Sequence, residues 1–356
     1  MKIGIYDPYL DGLSGGEKYI LTLALCFAKT HDVRIFWDRG EEQLIKEKAK
    51  RKLNLDLSEL QFSKNIFSKD VSFVRRLFLS NSYDYIIFLS DGSIPFVLSK
   101  LLIHFQFPVQ WINAKTIKTK IKMKRVAKVI CNSFFTKKYI DEKFHIVSAV
   151  LYPPVELISR EKVKKENIII NVGRYGNYEQ GSSYKKQEFI VKTFRKMIEK
   201  GLKNWRLVLV VSTREEDEAK LEKLIEEAER FPVTVVKNPD NLFLQKQYAK
   251  AKIYWHAAGY GEDLKKHPER AEHFGIPTVE AMSAGAVPVV IRTGGQPEIV
   301  NDGDNGFLWI TQEELIEKTN LIINDENVWS KMSKSAEKRA EFFSNNNFCN
   351  NLEKII

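Results

Sequence analysis

Glu272 and Glu280 stand eight positions apart in the segment Glu272-His-Phe-Gly-Ile-Pro-Thr-Val-Glu280. Two carboxylates so placed can accept hydrogen bonds from the vicinal hydroxyls of a sugar. A continuous helix would carry both on one face, but Gly275 and Pro277 make a helix start only around Pro277 or Thr278. Glu272 then belongs to a loop and Glu280 to the first helical turn, with loop amides and a helix N-terminus turned toward the same ligand. A carboxylate pair would also serve a glycoside hydrolase. The neighbouring cations and glycines argue against that, because a hydrolase has no need of phosphate-binding elements.

Those elements lie in both halves of the chain. Gly15 and Gly16 close the turn Asp7-Pro-Tyr-Leu-Asp-Gly-Leu-Ser-Gly-Gly-Glu17 and open a helical stretch. They allow either close approach of backbone amides to a phosphate or an ordinary helix cap. Arg174 ends an apolar run, and Lys185 opens a helical stretch after a Gly/Ser-rich loop. Either the two converge on a diphosphate, or they belong to a solvated basic surface. His104 and Gln106, in Ile103-His-Phe-Gln-Phe-Pro108, follow an apolar run near the expected mouth of a ligand crevice. An isolated histidine also serves as a structural core residue.

Positioning such residues takes a parallel sheet. Short apolar runs at Lys2 to Tyr6, Val33 to Trp37, Tyr85 to Leu89 and Val126 to Cys131 alternate with stretches of helical period. The alternation restarts at Asn167 to Val172 and continues through Trp205 to Val211, Val233 to Val236, Lys252 to His256 and Val287 to Ile291. The expected fold is α/β, two Rossmann-like doubly wound domains facing a central cleft that holds the ligand. Boundaries are expected at 1–152 for a first domain and 153–166 for a linker that begins with Pro153-Pro-Val155. A second domain would follow over 167–340, and a helix over 341–356 would return to the first domain. The length of 356 residues fits two cores, and 44% hydrophobic with 29% charged residues excludes a disordered chain.

The net charge of +10, from 56 Lys and Arg against 46 Asp and Glu, favours an anionic partner. No zinc module or aromatic RNA-binding motif supports nucleic acid as that partner. The first residues have no leader-like composition, and no apolar run approaches the roughly 18–20 residues of a spanning helix. Cys26, Cys131 and Cys349 are scattered without the spacing of a disulfide framework, so a reducing cytoplasm is expected.

The run from Glu272 to Val290, with Arg292-Thr-Gly-Gly-Gln-Pro-Glu298, resembles the paired-glutamate signature of the retaining glycosyltransferases of family four, which have the GT-B fold. The resemblance extends to Gly15-Gly16, Ile130-Cys-Asn-Ser-Phe-Phe-Thr-Lys137, Tyr152-Pro-Pro-Val155 and Gly173-Arg174 with Lys185, in the family's order. In its C-terminal signature the chain resembles the lipid-linked oligosaccharide mannosyltransferases. By that resemblance Glu280 would bind the donor's ribose, Glu272 would contact the transferred sugar, and Arg174 and Lys185 would hold the diphosphate. Gly15, Gly16, His273, Phe274, Gly275 and Ile276 would complete the donor site, and His104 would reach the sugar. The implied reaction is retaining transfer of a hexose, such as mannose, from a GDP- or UDP-sugar to a glycan or lipid-linked acceptor. No metal or other cofactor is expected. A nucleotide-sugar epimerase and a catalytically silent scaffold are the alternatives.

The chain departs from the family's pattern at three places. The loop between Gly176 and Tyr184 is long, which brings Lys186 forward as a substitute for Lys185. His256 to Ala271 replaces a short turn and reads as a solvent-exposed lid or an inert insertion. Either His104 or Gln106 stands at the family's histidine position. Separately, Lys115 to Lys128 holds seven basic residues interleaved with apolar ones, which is either a solvated helix or a site for anionic lipid. The expected location is cytoplasmic or peripheral on the inner membrane face.

Overall fold

The computed structural model describes residues 1–114, 116–159, 163–177 and 183–355. Lys115, the middle of the expected linker and most of the loop after Gly176 lie outside them. The chain divides into two compact units, Met1–Pro154 with Asn345–Ile356, and Val155–Ser344.

The first unit runs β1 (Lys2–Tyr6), α1 (Gly15–Ala28), β2 (Asp32–Trp37), α2 (Glu42–Leu53), β3 (Gln61–Lys64), α3 (Phe73–Ser80), β4 (Tyr85–Leu89) and β5 (Lys100–Phe105). It continues with α4 (Ile117–Lys124), β6 (Val126–Cys131), α5 (Phe134–Phe144) and β7 (Ala149–Val150). All seven strands are parallel in the order β3-β2-β1-β4-β5-β6-β7. A parallel sheet is covered on both faces, and alternation along each strand feeds two cores. Ile3 and Ile5 meet α1 on one face, while Phe36, Phe88 and Phe105 fill the other.

The second unit runs β8 (Glu166–Arg174), α6 (Gln187–Glu199), β9 (Arg206–Ser212), α7 (Glu218–Ala228), β10 (Val233–Lys237), α8 (Asn241–Lys250) and β11 (Ala251–His256). After these come α9 (Ile276–Ser283), β12 (Val287–Ile291), α10 (Gln296–Ile299), β13 (Phe307–Trp309), α11 (Gln312–Asn324) and α12 (Glu326–Glu341). Its six parallel strands are ordered β10-β9-β8-β11-β12-β13. In each unit the strand order reverses beside the first strand, between β1 and β4 and between β8 and β11. That is where open α/β sheets leave room for a ligand beyond their carboxyl ends.

The stretch expected as an extended crossing is pinned to the second unit from Val155 on. Val155 N donates to Phe343 O at 2.9 Å, and Ile158 N donates to Ser283 Oγ at 3.0 Å. The final helix, α13 (Asn345–Glu353), sends Phe348 and Leu352 into the core beneath α1. One expectation fails here. Cys26 of α1 and Cys349 of α13 are joined in a disulfide, with Cα atoms 5.5 Å apart. Sequence spacing hid the pair because 323 positions separate its members. Among the described residues, no helix is long and apolar enough to cross a membrane.

Candidate active site

In the second unit, β8 delivers its buried run Ile168 to Ile170 to the core and emerges at Gly173 and Arg174. Gly173 is small for a reason: a Cβ there would lie 2.9 Å from Cγ of Lys185, whose stem crosses the strand end. That crossing brings Lys185 Nζ to 2.6 Å from Glu272 Oε2. The same oxygen meets Nε2 of His256, the last residue of β11, at 2.9 Å. Burial by itself would raise the Glu272 carboxyl, but the Lys185 ammonium and the His256 hydrogen bond outweigh it and hold the group well below the usual carboxylate range. Burial pushes the His256 imidazole down, so a neutral ring donates to a charged carboxylate. Its Nδ1 has no partner among the described residues.

Arg174 is exposed, and its guanidinium lies over the Tyr184 ring at 4.5 Å from the centroid. Lys186 takes a different direction. It occupies the left-handed region, φ 58°, just before α6, and pairs with Glu262, which also binds Arg270 Nη1 at 2.8 Å. The segment after His256 is therefore not an open lid: Glu262 and Arg270 turn inward, and Tyr260 packs 4.2 Å from Phe189 between ring centroids.

Glu272 to Phe274 form a loop held by the glycines after β12. Gly295 N donates to Glu272 O at 2.8 Å, and a Cβ on Gly295 would come within 2.6 Å of Phe274 Cα. His273 Nε2 lies 3.1 Å from Glu269 O, and burial pushes its imidazole down to about 4. Gly275, at φ 122°, caps α9 in a region closed to most side chains. The helix begins at Ile276, earlier than expected, so Glu280 is its fifth residue and lies beyond the first turn. Tyr248, fully buried in α8, donates its phenol to Glu280 Oε2 at 3.1 Å.

In the first unit, the turn after β1 is a capped helix start. Ser14 N donates to Glu17 Oε2 at 2.5 Å, and Gln106 Nε2 donates to Gly16 O at 3.0 Å. Gln106, just past β5, is thus the residue beside the two glycines. His104 lies within β5 instead. β5 extends one residue beyond it, and alternation turns its ring inward with Leu102. There it stacks on Tyr19 at 4.2 Å, is 1% exposed, and is pushed down to about 3 by burial. Asp7, just past β1, is also buried. Its Oδ1 accepts from Tyr9 N at 2.8 Å, and Oδ2 has no partner among the described residues. Burial and then Glu17 push its carboxyl up to about 8.

Within the second unit the structure unites Lys185 with Glu272, and it leaves Lys186 with Glu262 and Glu280 with Tyr248. The partnerships of His256, Tyr248, Glu262 and Arg270 are not encoded in sequence spacing. Of these, His256 carried a signal, standing at the end of an apolar run that the chain's own pattern marks as a strand.

Two parallel α/β units, with a carboxylate and cations gathered beyond the carboxyl end of the second sheet, define a glycosyltransferase of the GT-B fold. Residues 156–339 match the model of the glycosyl transferases group 1, and the chain belongs to that family. It is 27% identical over 230 residues to the GDP-Man:Man(3)GlcNAc(2)-PP-Dol alpha-1,2-mannosyltransferase of Dictyostelium discoideum. That alignment covers 58% of this chain and 41% of the relative, so the chain spans less than half of that relative's length. It is 25% identical to the alpha-1,3/1,6-mannosyltransferase ALG2 of the same organism, covering 100% of this chain and 98% of the relative. The crystal structure of Anabaena HepE in complex with UDP and glucose has the same fold, with a TM-score of 0.71, 16% identity, and coverage of 99% of this chain and 98% of that one.

Proposed function

We propose that the chain is a retaining hexosyltransferase taking its sugar from a nucleoside diphosphate and giving it to a glycan or lipid-linked acceptor. The observation that carries this reading is the Glu272 carboxylate held charged between Lys185 and His256 at the reversal point of the second sheet. In this reading Glu272 receives hydroxyls of the transferred sugar. Lys185 turns from Glu272 to the diphosphate together with Arg174, and their charge stabilises the departing nucleotide without a metal ion. Glu280 binds the ribose, oriented by Tyr248, and Gly275 and Ile276 offer helix-start amides. Lys186, paired with Glu262, is the alternative to Lys185 for the diphosphate.

The names of the two mannosyltransferases support mannose from GDP-mannose as the first donor to test, and the UDP complex of HepE supports UDP-glucose as the second. The cytoplasmic membrane face is the proposed location because a charged nucleotide conjugate does not cross a bilayer unaided. The disulfide removes the support that unpaired cysteines would have lent. Incubation with labelled GDP-mannose or UDP-glucose and a lipid-linked oligosaccharide should yield labelled acceptor, and Glu280→Ala should abolish it. Recovery of epimerised free nucleotide sugar, or donor binding with neither transfer nor hydrolysis, would refute the proposal.

A further inference from the structure

The surface of the first unit carries large apolar side chains that its cores do not use. On α3, Phe73, Val74 and Phe78 are 56%, 74% and 80% exposed, and on α4, Ile117 and Ile121 are 77% and 54% exposed. Val74 and Phe78, like Ile117 and Ile121, are spaced four apart, so each pair forms one stripe of its helix. Isolated exposed apolar residues are ordinary, but two helices with bare stripes require an explanation.

Both helices are anchored to the same short segment. Lys122 Nζ donates to Ile94 O at 2.6 Å, and Arg125 Nη2 donates to Val97 O at 3.4 Å while its guanidinium lies 4.5 Å from the Phe96 ring centroid. From α3, Phe73 approaches the same Phe96 ring at 6.0 Å. The two stripes are therefore parts of one surface region. Its charge is of one sign: Arg75 and Arg76 on α3, then Lys118, Lys120, Lys122, Lys124, Arg125 and Lys128, with no acidic residue in 72–80 or 116–128. Burial and the charges of Lys118 and Arg76 both act against the Lys122 ammonium, which places cations of the two helices within electrostatic reach of each other.

We infer that α3 and α4 together form a docking surface for an anionic lipid bilayer. Aliphatic and aromatic stripes enter the headgroup boundary while the surrounding Lys and Arg side chains meet lipid phosphates. Nucleic acid would satisfy the cations but leave Val74, Phe78, Ile117 and Ile121 in water. The proposal deepens the lipid-linked acceptor reading and rests on it for its purpose, since a membrane-bound acceptor must be met at the bilayer.

The test uses the full chain and phosphatidylcholine vesicles with and without phosphatidylglycerol, read by co-sedimentation. Binding is expected only with the anionic lipid and falls with added salt. Lys118→Glu with Lys120→Glu should weaken it by about fivefold per charge removed, or more. Phe78→Ser with Ile117→Ser should weaken it at unchanged charge. Equal binding by these variants and the parent chain, or no binding to anionic vesicles, overturns the proposal, as does salt-sensitive capture of an oligonucleotide in preference to vesicles. The melting shift caused by nucleotide sugar is recorded in parallel. Its persistence without vesicle binding sinks the docking surface alone, and its absence with vesicle binding intact sinks the transferase reading alone.

Discussion

Lys185 and Glu272, 87 positions apart, meet at 2.6 Å across the mouth of the second sheet, and the carboxylate is shared with His256. The pair keeps a cation and an anion in place before any substrate arrives. It also sets a competition, because a bound diphosphate must draw the ammonium away from its carboxylate.

Removing one member should therefore cost stability as well as activity. Both side chains are partly exposed, so the penalty for breaking a buried pair is discounted to about 1–2 kcal/mol for Lys185→Gln. A urea-unfolding double-mutant cycle with Glu272→Gln should give a coupling energy of similar size. The same variant should lower kcat/KM by about 10²–10³. Additive single effects would show that the contact carries no energy.

Asp7 makes stability fall with rising pH. Its carboxyl titrates near 3.8 in an ordinary setting and is pushed up to about 8 in the fold, by burial first and Glu17 second. Below 3.8 both states hold the proton. Between the two values only the folded state does, so folding stability declines until about pH 8. Asp7→Asn should flatten that slope and, above pH 8, should be more stable than the parent by ~1–3 kcal/mol. Parallel denaturation curves for the two chains at all pH values would rule this out.

His104 and His273 produce the opposite slope on the acid side. Burial lowers them from 6.5 to about 3 and about 4, so the unfolded chain takes up protons that the fold refuses. Their contribution is complete above 6.5 and is lost as pH falls toward those values. His104→Gln should lose less stability on acidification than the parent chain, measured as the drop in unfolding midpoint below neutrality. An identical drop in both would contradict the buried, neutral ring.

The disulfide gives a fourth expectation. Purified without reductant, the protein should show one free thiol, Cys131, by mass-shift labelling. Cys349→Ser should destabilise the first unit by about 2–4 kcal/mol and expose α13 to protease. Three free thiols in the untreated protein would be decisive against the bridge.

Much of the scaffold was legible because β-branched runs such as Ile3-Gly-Ile5 and Val287-Pro-Val-Val-Ile291 have little alternative to a buried strand. β3, Gln61-Phe-Ser-Lys64, was not, since an edge strand keeps few apolar residues, and β7 has only two residues. The donor-side residues were readable as types. Their partners were not, because Glu262 reaches Lys186 across 76 positions and no local pattern encodes such a meeting. The inward turn of His104 follows from one residue of strand length. Leu101, Ile103 and Phe105 enter one core while Leu102 enters the other, so parity along the run would have turned His104 inward with Leu102.

The bond between Cys26 and Cys349 also changes how the chain bears force. A pull applied to the two ends travels from the first turns of the molecule to its last helix through sulfur, and the 323-residue span between them carries no tension. In a pulling experiment the span from Cys26 to Cys349 should add nothing to the contour released until a reductant frees it. Between Cys26 and Cys349 the unreduced chain behaves mechanically as a closed ring.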